Sequence, residues 1–128
     1  MLLRYTHYLA MRRHVAAEAP LEACGLVAGR DGVSVAVYPI PNALHSPTRY
    51  RMDPRAQVQA FFAMEAAGLE LLAIYHSHPQ GPPLPSATDL REATYAVPYL
   101  IWARLGETWL VRAFLLQKSG QEVPLRLA

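Results

Sequence analysis

The sequence has one cysteine, little charge and no long apolar run, and each scarcity excludes something. A single cysteine, Cys24, allows neither an intramolecular disulfide nor a multi-cysteine zinc ribbon. It also excludes the zinc nucleoside deaminases, whose metal site needs a Pro-Cys-x-x-Cys pair. Charged residues are 17% of the 128 and hydrophobic residues 52%, which removes disorder as the default. Twelve Lys and Arg stand against ten Asp and Glu, and they are scattered, with only Arg12 and Arg13 adjacent. That is no nucleic-acid footprint, so no nucleic-acid partner is expected. The longest apolar stretch, Tyr95 to Ala103, contains Pro98 and is far short of the ~20 residues that span a bilayer. Met1-Leu2-Leu3 meets Arg4 and His7 too early for the apolar core of a signal peptide. A soluble cytoplasmic protein with no membrane partner is the expectation.

What is present reads as one domain over residues 1–128, long enough for a sizeable core. Thr6 to Glu18 predicts a helix that ends near Pro20. Ala23 to Gly29 is a short apolar run suited to a buried strand, and Asp31-Gly32 signals a hairpin turn. Val33, Val35 and Val37 then alternate with small residues as the returning strand. Prolines at 39, 41, 47 and 54 predict an irregular segment from Pro39 to Pro54. Arg55 to Ala67 predicts a helix, with Val58, Phe61 and Phe62 at three- and four-residue steps and Gly68 as its stop. Leu71 to Tyr75 is a continuous apolar strand. Pro79 to Pro85 is a stiff loop, and a helix opens at Ser86. Tyr99–Ala103, Thr108–Leu116 and Glu122–Leu127 predict three closing strands. The result is a mixed α/β or α+β domain with a partly antiparallel sheet. Phe61, Phe62 and Trp102 are expected in the core, and Cys24 as a buried small hydrophobe.

Chemistry gathers around one stretch. His76 and His78 end the central strand two residues apart, and alternation turns both to one face. Ser86 and Asp89 open the following helix, and Glu22 precedes the first apolar strand. Two imidazoles and one carboxylate, with a fourth position left for water, are the donor set of a catalytic zinc site. A carboxylate beside that set can move protons, which makes Glu22 the candidate, and Ser86 can donate to a developing oxyanion. Each residue also has a plainer role. Ser86-Ala87-Thr88-Asp89 matches a capping box, and Glu22 fits a solvated loop charge. Both readings of Ser86 and Asp89 can hold at once. His7 and His14 share a helix face without an assigned function, and His45 reads as a surface side chain.

The run His76-Ser77-His78-Pro79, the seven residues Pro79 through Pro85, and Ser86-Ala87-Thr88-Asp89, with Glu22 upstream, resembles the motif of the JAMM/MPN-domain zinc metalloproteases. Asn42 and Tyr50-Arg51-Met52-Asp53-Pro54 resemble the middle of short prokaryotic members. The resemblance implies a curved mixed sheet flanked by helices, related to the cytidine-deaminase architecture. It implies His76, His78 and Asp89 as ligands of one zinc ion per chain, Glu22 as general acid/base, and Ser86 as the donor that stabilises the tetrahedral intermediate. It further implies cleavage after the C-terminal Gly-Gly of a ubiquitin-like or sulfur-carrier protein. The stiff Gly81–Pro85 loop is a candidate wall for the tail's channel, or simply a rigid connector. Two other readings stay open: a non-catalytic binding module on the same fold, and a RadC-like nucleic-acid-associated protein, which shares part of the His-x-His and Ser-x-x-Asp pattern.

Overall fold

A computed structural model describes all of residues 1–128. The chain runs β1 (Leu2–Leu3), α1 (Tyr5–Glu18), β2 (Cys24–Arg30), β3 (Val33–Ile40), α2 (Pro54–Ala66), β4 (Glu70–His78), α3 (Ala87–Glu92), β5 (Tyr99–Leu105), β6 (Thr108–Leu115), β7 (Gln121–Val123) and β8 (Arg126–Leu127). All eight strands form one mixed sheet in the order β7-β6-β5-β4-β2-β3-β1-β8. β2 lies antiparallel to β3 and β4, β4 is parallel to β5, and β5, β6 and β7 follow antiparallel. β7 and β8 sit on opposite edges of this order yet are joined by only Pro124 and Leu125. The sheet must therefore curl until its two edges approach each other.

Each face of the sheet carries one long helix. Met11 and Val15 of α1 pack with Val27, Ala73, Tyr75, Leu100 and Trp102. Ala60 and Met64 of α2 pack on the other face with Cys24, Leu26, Ile74, Tyr99 and Ile101. The period of two along β2 and β4 sorts these residues: neighbours in sequence go to opposite layers. Gly25 sits opposite Tyr75 in the ladder. A Cβ there would run into the Tyr75 ring, so the absence of a side chain is what lets the tyrosine lie flat across β2. No helix is long and apolar enough to cross a membrane.

Three expectations need correction. β3 continues through Pro39 to Ile40, although a proline was expected to end it. The reason is the edge: β1 meets β3 only at Leu2↔Val33, so Pro39 pairs with Gly25 on one side and has no strand to donate to on the other. The predicted last strand, Glu122–Leu127, is two strands split at Pro124 that serve opposite sheet edges. Phe62 is not core. It is 67% exposed and Val58 is 51% exposed, because Ala60 and Met64 define the buried face of α2. At 100° per residue Phe62 points about 200° away from Ala60. Trp102 and Cys24 are fully buried, as expected.

Candidate metal centre

β4 delivers the two histidines. Its alternation sends Ala73, Tyr75 and Ser77 toward α1, and Ile74, His76 and His78 toward the layer of α2 and α3. His76 Nε2 and His78 Nε2 are 3.2 Å apart. α3 brings the third group: Asp89 Oδ2 lies 3.2 Å from His76 Nε2 and 3.1 Å from His78 Nε2. The helix start fixes that carboxylate. Ser86 Oγ accepts from the Asp89 amide at 3.0 Å, and Asp89 Oδ2 accepts from the Ser86 amide at 2.9 Å, a complete capping box. The capping and ligand readings coexist. Ser86 still has its hydroxyl proton to give, since it uses only an acceptor site in the cap.

The fourth residue arrives from the far side. Glu22 is only 4% exposed, and its carboxylate lies within 4.8 Å of the ligand atoms of His76 and His78. Its segment is pinned to β4 through Ser77. The Ala23 amide donates to Ser77 Oγ at 2.8 Å, and the Ser77 amide donates to the Ala23 carbonyl at 3.0 Å. So the residue between the two histidines holds the strand entry that carries Glu22. Alternation alone puts Ser77 on the opposite face, but nothing in the sequence names its partner.

The donor set suits a divalent cation. His78 Nδ1 lies 2.9 Å from the Pro82 carbonyl, which can only accept, so Nδ1 carries the proton. His78 Nε2 therefore presents a lone pair to the site, with its ring oriented from outside as metal-ligating histidines are. His76 Nδ1 is buried without a partner. His76 Nε2, His78 Nε2 and Asp89 Oδ2 form a nearly equilateral triangle, and all three are electron-pair donors when each neutral imidazole carries its proton on Nδ1. Donors at the usual zinc distances in a tetrahedron stand roughly 3.3 Å apart, which is close to the 3.1–3.2 Å seen here. The Tyr50 ring stacks on His76 at 4.6 Å and 24° and holds the second imidazole plane.

Electrostatics separates the two carboxylates. Burial pushes Glu22 up to about 8; the nearby His78 opposes that rise and Asp89 adds to it. Burial would raise Asp89 too, but hydrogen bonds from His76 and His78 in their protonated forms and from the Ser86 amide outweigh it and hold it well below the ordinary range. Burial lowers His76 despite Asp89. His78 is raised, because its bonds to Asp89 and Pro82 exceed its own burial penalty.

Two clefts reach this centre. One, of about 260 Å³, includes Tyr50, Met52, Ile74, Asp89 and Tyr99 in its wall. The other, of about 160 Å³, is bounded by Glu22, His78, Gly81, Pro82, Pro85 and Ser86, so the Pro loop does form a wall beside the site. Thr48 borders both, and the Arg49–Glu92 ion pair, at 3.3 Å, links the segment before α2 to α3. The remaining histidines lie elsewhere. His7 bonds Ser34 Oγ, His14 bonds the Tyr75 hydroxyl, and His45 is exposed. Cys24, pushed up to about 12 mainly by burial, has no role at the centre. Sequence reasoning gave no role to Ser77 or Tyr50.

Comparison with known proteins identifies the family. Residues 5–117 match the model for prokaryotic homologs of the JAB domain. The chain is 53% identical over 115 residues to a probable TtuB-protein conjugate cleaving protease of Thermus thermophilus, covering 89% of this chain and 74% of that one. It is 33% identical over 115 residues to a desampylase of Pyrococcus furiosus, covering 90% and 81%. A protein of Desulfitobacterium hafniense solved in solution superposes over 100% of this chain and 93% of its own, with TM-score 0.89 and 35% identity. With that match laid over a curled mixed sheet and a His-x-His strand end, the chain belongs to the family of prokaryotic JAB-domain homologs and is a hydrolase of the JAMM protease type.

Proposed function

We propose that this chain is a cytoplasmic zinc peptidase, acting as one domain, that hydrolyses the amide or isopeptide bond after the C-terminal Gly-Gly of a ubiquitin-like or sulfur-carrier protein. His76, His78 and Asp89 would hold one zinc ion. Such an ion supplies Lewis-acid activation of water and of the scissile carbonyl. Glu22 takes the proton of the attacking water and delivers it to the leaving amine. Ser86 donates its free hydroxyl proton to the developing oxyanion. The observation that carries the reading is the triangle of three donors with a buried, protonatable carboxylate beside it. The two clefts, which adjoin at Thr48 on either side of the ligand residues, support an extended substrate lying across the site. The Thermus and Pyrococcus relatives, named for cleaving protein conjugates, support the substrate class.

The test is metal content and cleavage of a Gly-Gly-tailed carrier fusion for wild type, Glu22→Gln and His76→Ala. Zinc near one per chain is expected in the first two and not in the third, with cleavage by wild type only. Full activity in Glu22→Gln would refute the acid/base role. Stoichiometric zinc with no cleavage of any carrier fusion would favour the non-catalytic binding module.

A further inference from the structure

We infer that Asn42 is a positioning residue for Glu22: its side-chain amide clamps the Glu22 backbone to the segment 42–52 and so fixes where the acid/base carboxylate sits. The inference rests on the proposed role of Glu22. The segment between β3 and α2 contains no regular element except one isolated bridge between Asn42 and Met52. Asn42 fills its centre and uses every hydrogen-bonding site it has. Nδ2 donates to the Glu22 carbonyl at 3.1 Å and to the Arg49 carbonyl at 3.0 Å. Oδ1 accepts from the Leu44 amide at 3.0 Å and the Arg51 amide at 3.1 Å. Two donors and two acceptors are the full capacity of the group. Its orientation is also unambiguous, since a flipped amide would oppose two carbonyls with an oxygen and two N–H groups with an NH₂.

Glu22 is held by the same segment at both ends of its backbone. Its carbonyl accepts from Asn42, and its amide donates to the Ser46 carbonyl at 2.9 Å. Glu22 lies before β2 begins, outside the ladder that would otherwise define its φ and ψ. Ser77 secures the next residue, Ala23. Asn42 and Ser46 secure Glu22 itself. Asn42 touches no reacting atom, so it acts through Glu22.

Asn42→Asp separates this role from general support of the segment. The carboxylate keeps an acceptor for the Leu44 and Arg51 amides but replaces the donor facing the Glu22 and Arg49 carbonyls with an oxygen. Wild type, Asn42→Asp and Glu22→Gln are compared with a ubiquitin-like carrier whose Gly-Gly tail is fused through an amide to a fluorophore. For Asn42→Asp, kcat is expected to fall about 10- to 100-fold, the scale of a misplaced catalytic group. KM should stay within about twofold and zinc content should be unchanged. Amide hydrogen exchange gives a readout independent of turnover: Glu22 should exchange about tenfold or more faster, while Leu44 and Arg51 keep their protection. A kcat within twofold of wild type, or unaltered Glu22 exchange, would overturn the inference. Loss of zinc together with protection at Leu44 and Arg51 would also overturn it, because Asn42 would then be a general scaffold. If wild type fails to cleave the probe, the substrate assignment fails, and the exchange measurement still decides whether Asn42 holds Glu22. If Glu22→Gln is fully active, the acid/base role falls and the positioning role with it.

Discussion

Ser77→Ala should destabilise the protein by about 2 kcal/mol through one orphaned amide. Ser77 is fully buried, and Ala23 is 2% exposed. The only hydrogen bond of the Ala23 amide in this region is its 2.8 Å donation to Ser77 Oγ. Alanine removes the acceptor without opening the site to water, so the N–H stays buried and unpaired. That situation costs about 1–3 kcal/mol, more than the ~1 kcal/mol net worth of an ordinary hydrogen bond. The unfolding entropy is about 2.1 cal/mol/K per residue near the midpoint, or about 270 cal/mol/K for 128 residues. A 2 kcal/mol loss therefore lowers Tm by about 7 °C. Thermal unfolding followed by circular dichroism, with zinc fixed and in excess for both proteins, measures this. Because Ala23 adjoins Glu22, turnover should fall as well, while the ligand set remains intact. A Tm within 2 °C of wild type, with the Ala23 amide still protected from exchange, would refute the argument: the amide would have found another partner, and Ser77 would not be what ties the Glu22 segment to β4.

Two other perturbations follow from the packing on the α1 side of the sheet. Gly25→Ala puts a Cβ into the Tyr75 ring, a rigid group held by β4 and by the His14 bond. Overpacking of this kind costs about 1–3 kcal/mol or more, and a urea midpoint unchanged from wild type would show that the ring moves aside freely. His14 is lowered from 6.5, mainly by burial and against the pull of Glu18. Its unfolded form then binds more protons between the folded value and about 6.5, so its contribution is fully present above that range and is lost as pH falls through it. The stability difference between wild type and His14→Gln should shrink on acidification from pH 7.5 to 5.5 at constant zinc; a difference that grows would reverse the sign assigned here.

The parts of the fold that were legible in the sequence are those that depend on local pattern. A continuous apolar run identified β4, the Asp31-Gly32 turn identified the β2–β3 hairpin, and the Ser-x-x-Asp spacing identified the start of α3. Prolines misled where their effect depends on tertiary position. Pro39 is tolerated because β3 is unpaired on that side, a fact about β1 rather than about residues 33–40. Pro124 was passed over as a strand residue, although it divides two strands on opposite edges. Phe62 was assigned to the core on spacing alone. A helix with a narrow buried face, Ala60 and Met64, leaves one of two adjacent phenylalanines outside, and spacing cannot say which. At the centre, the residues that the structure brings together, His76, His78, Asp89 and Glu22, were legible by type and interval. Those that hold them, Ser77, Tyr50 and Asn42, were not. Their partners are 54, 26 and 20 residues away in sequence, and their chemistry is the ordinary chemistry of a core hydroxyl, a ring and an amide.

The two carboxylates show why holding matters as much as identity. Glu22 and Asp89 face the same histidine pair, yet burial leaves Glu22 easily protonated while bonds from His76, His78 and the Ser86 amide keep Asp89 ionised. A permanent negative charge suits a cation ligand, and a carboxylate that gains and loses its proton near neutrality suits acid/base work. A divalent charge on the Asp89 side would oppose the rise at Glu22 and bring its titration toward working pH. The separation does not come from the side chains themselves, whose ordinary values differ little. It comes from burial at Glu22 and, at Asp89, from the two imidazoles with a smaller share from the Ser86 amide. Asp89 sits on a capped helix start that supplies an amide donor, whereas Glu22 sits on an irregular strand entry that spends its own N–H and C=O on the segment 42–52. In the proposed reaction, the local fold therefore decides which carboxylate binds the metal and which moves the proton.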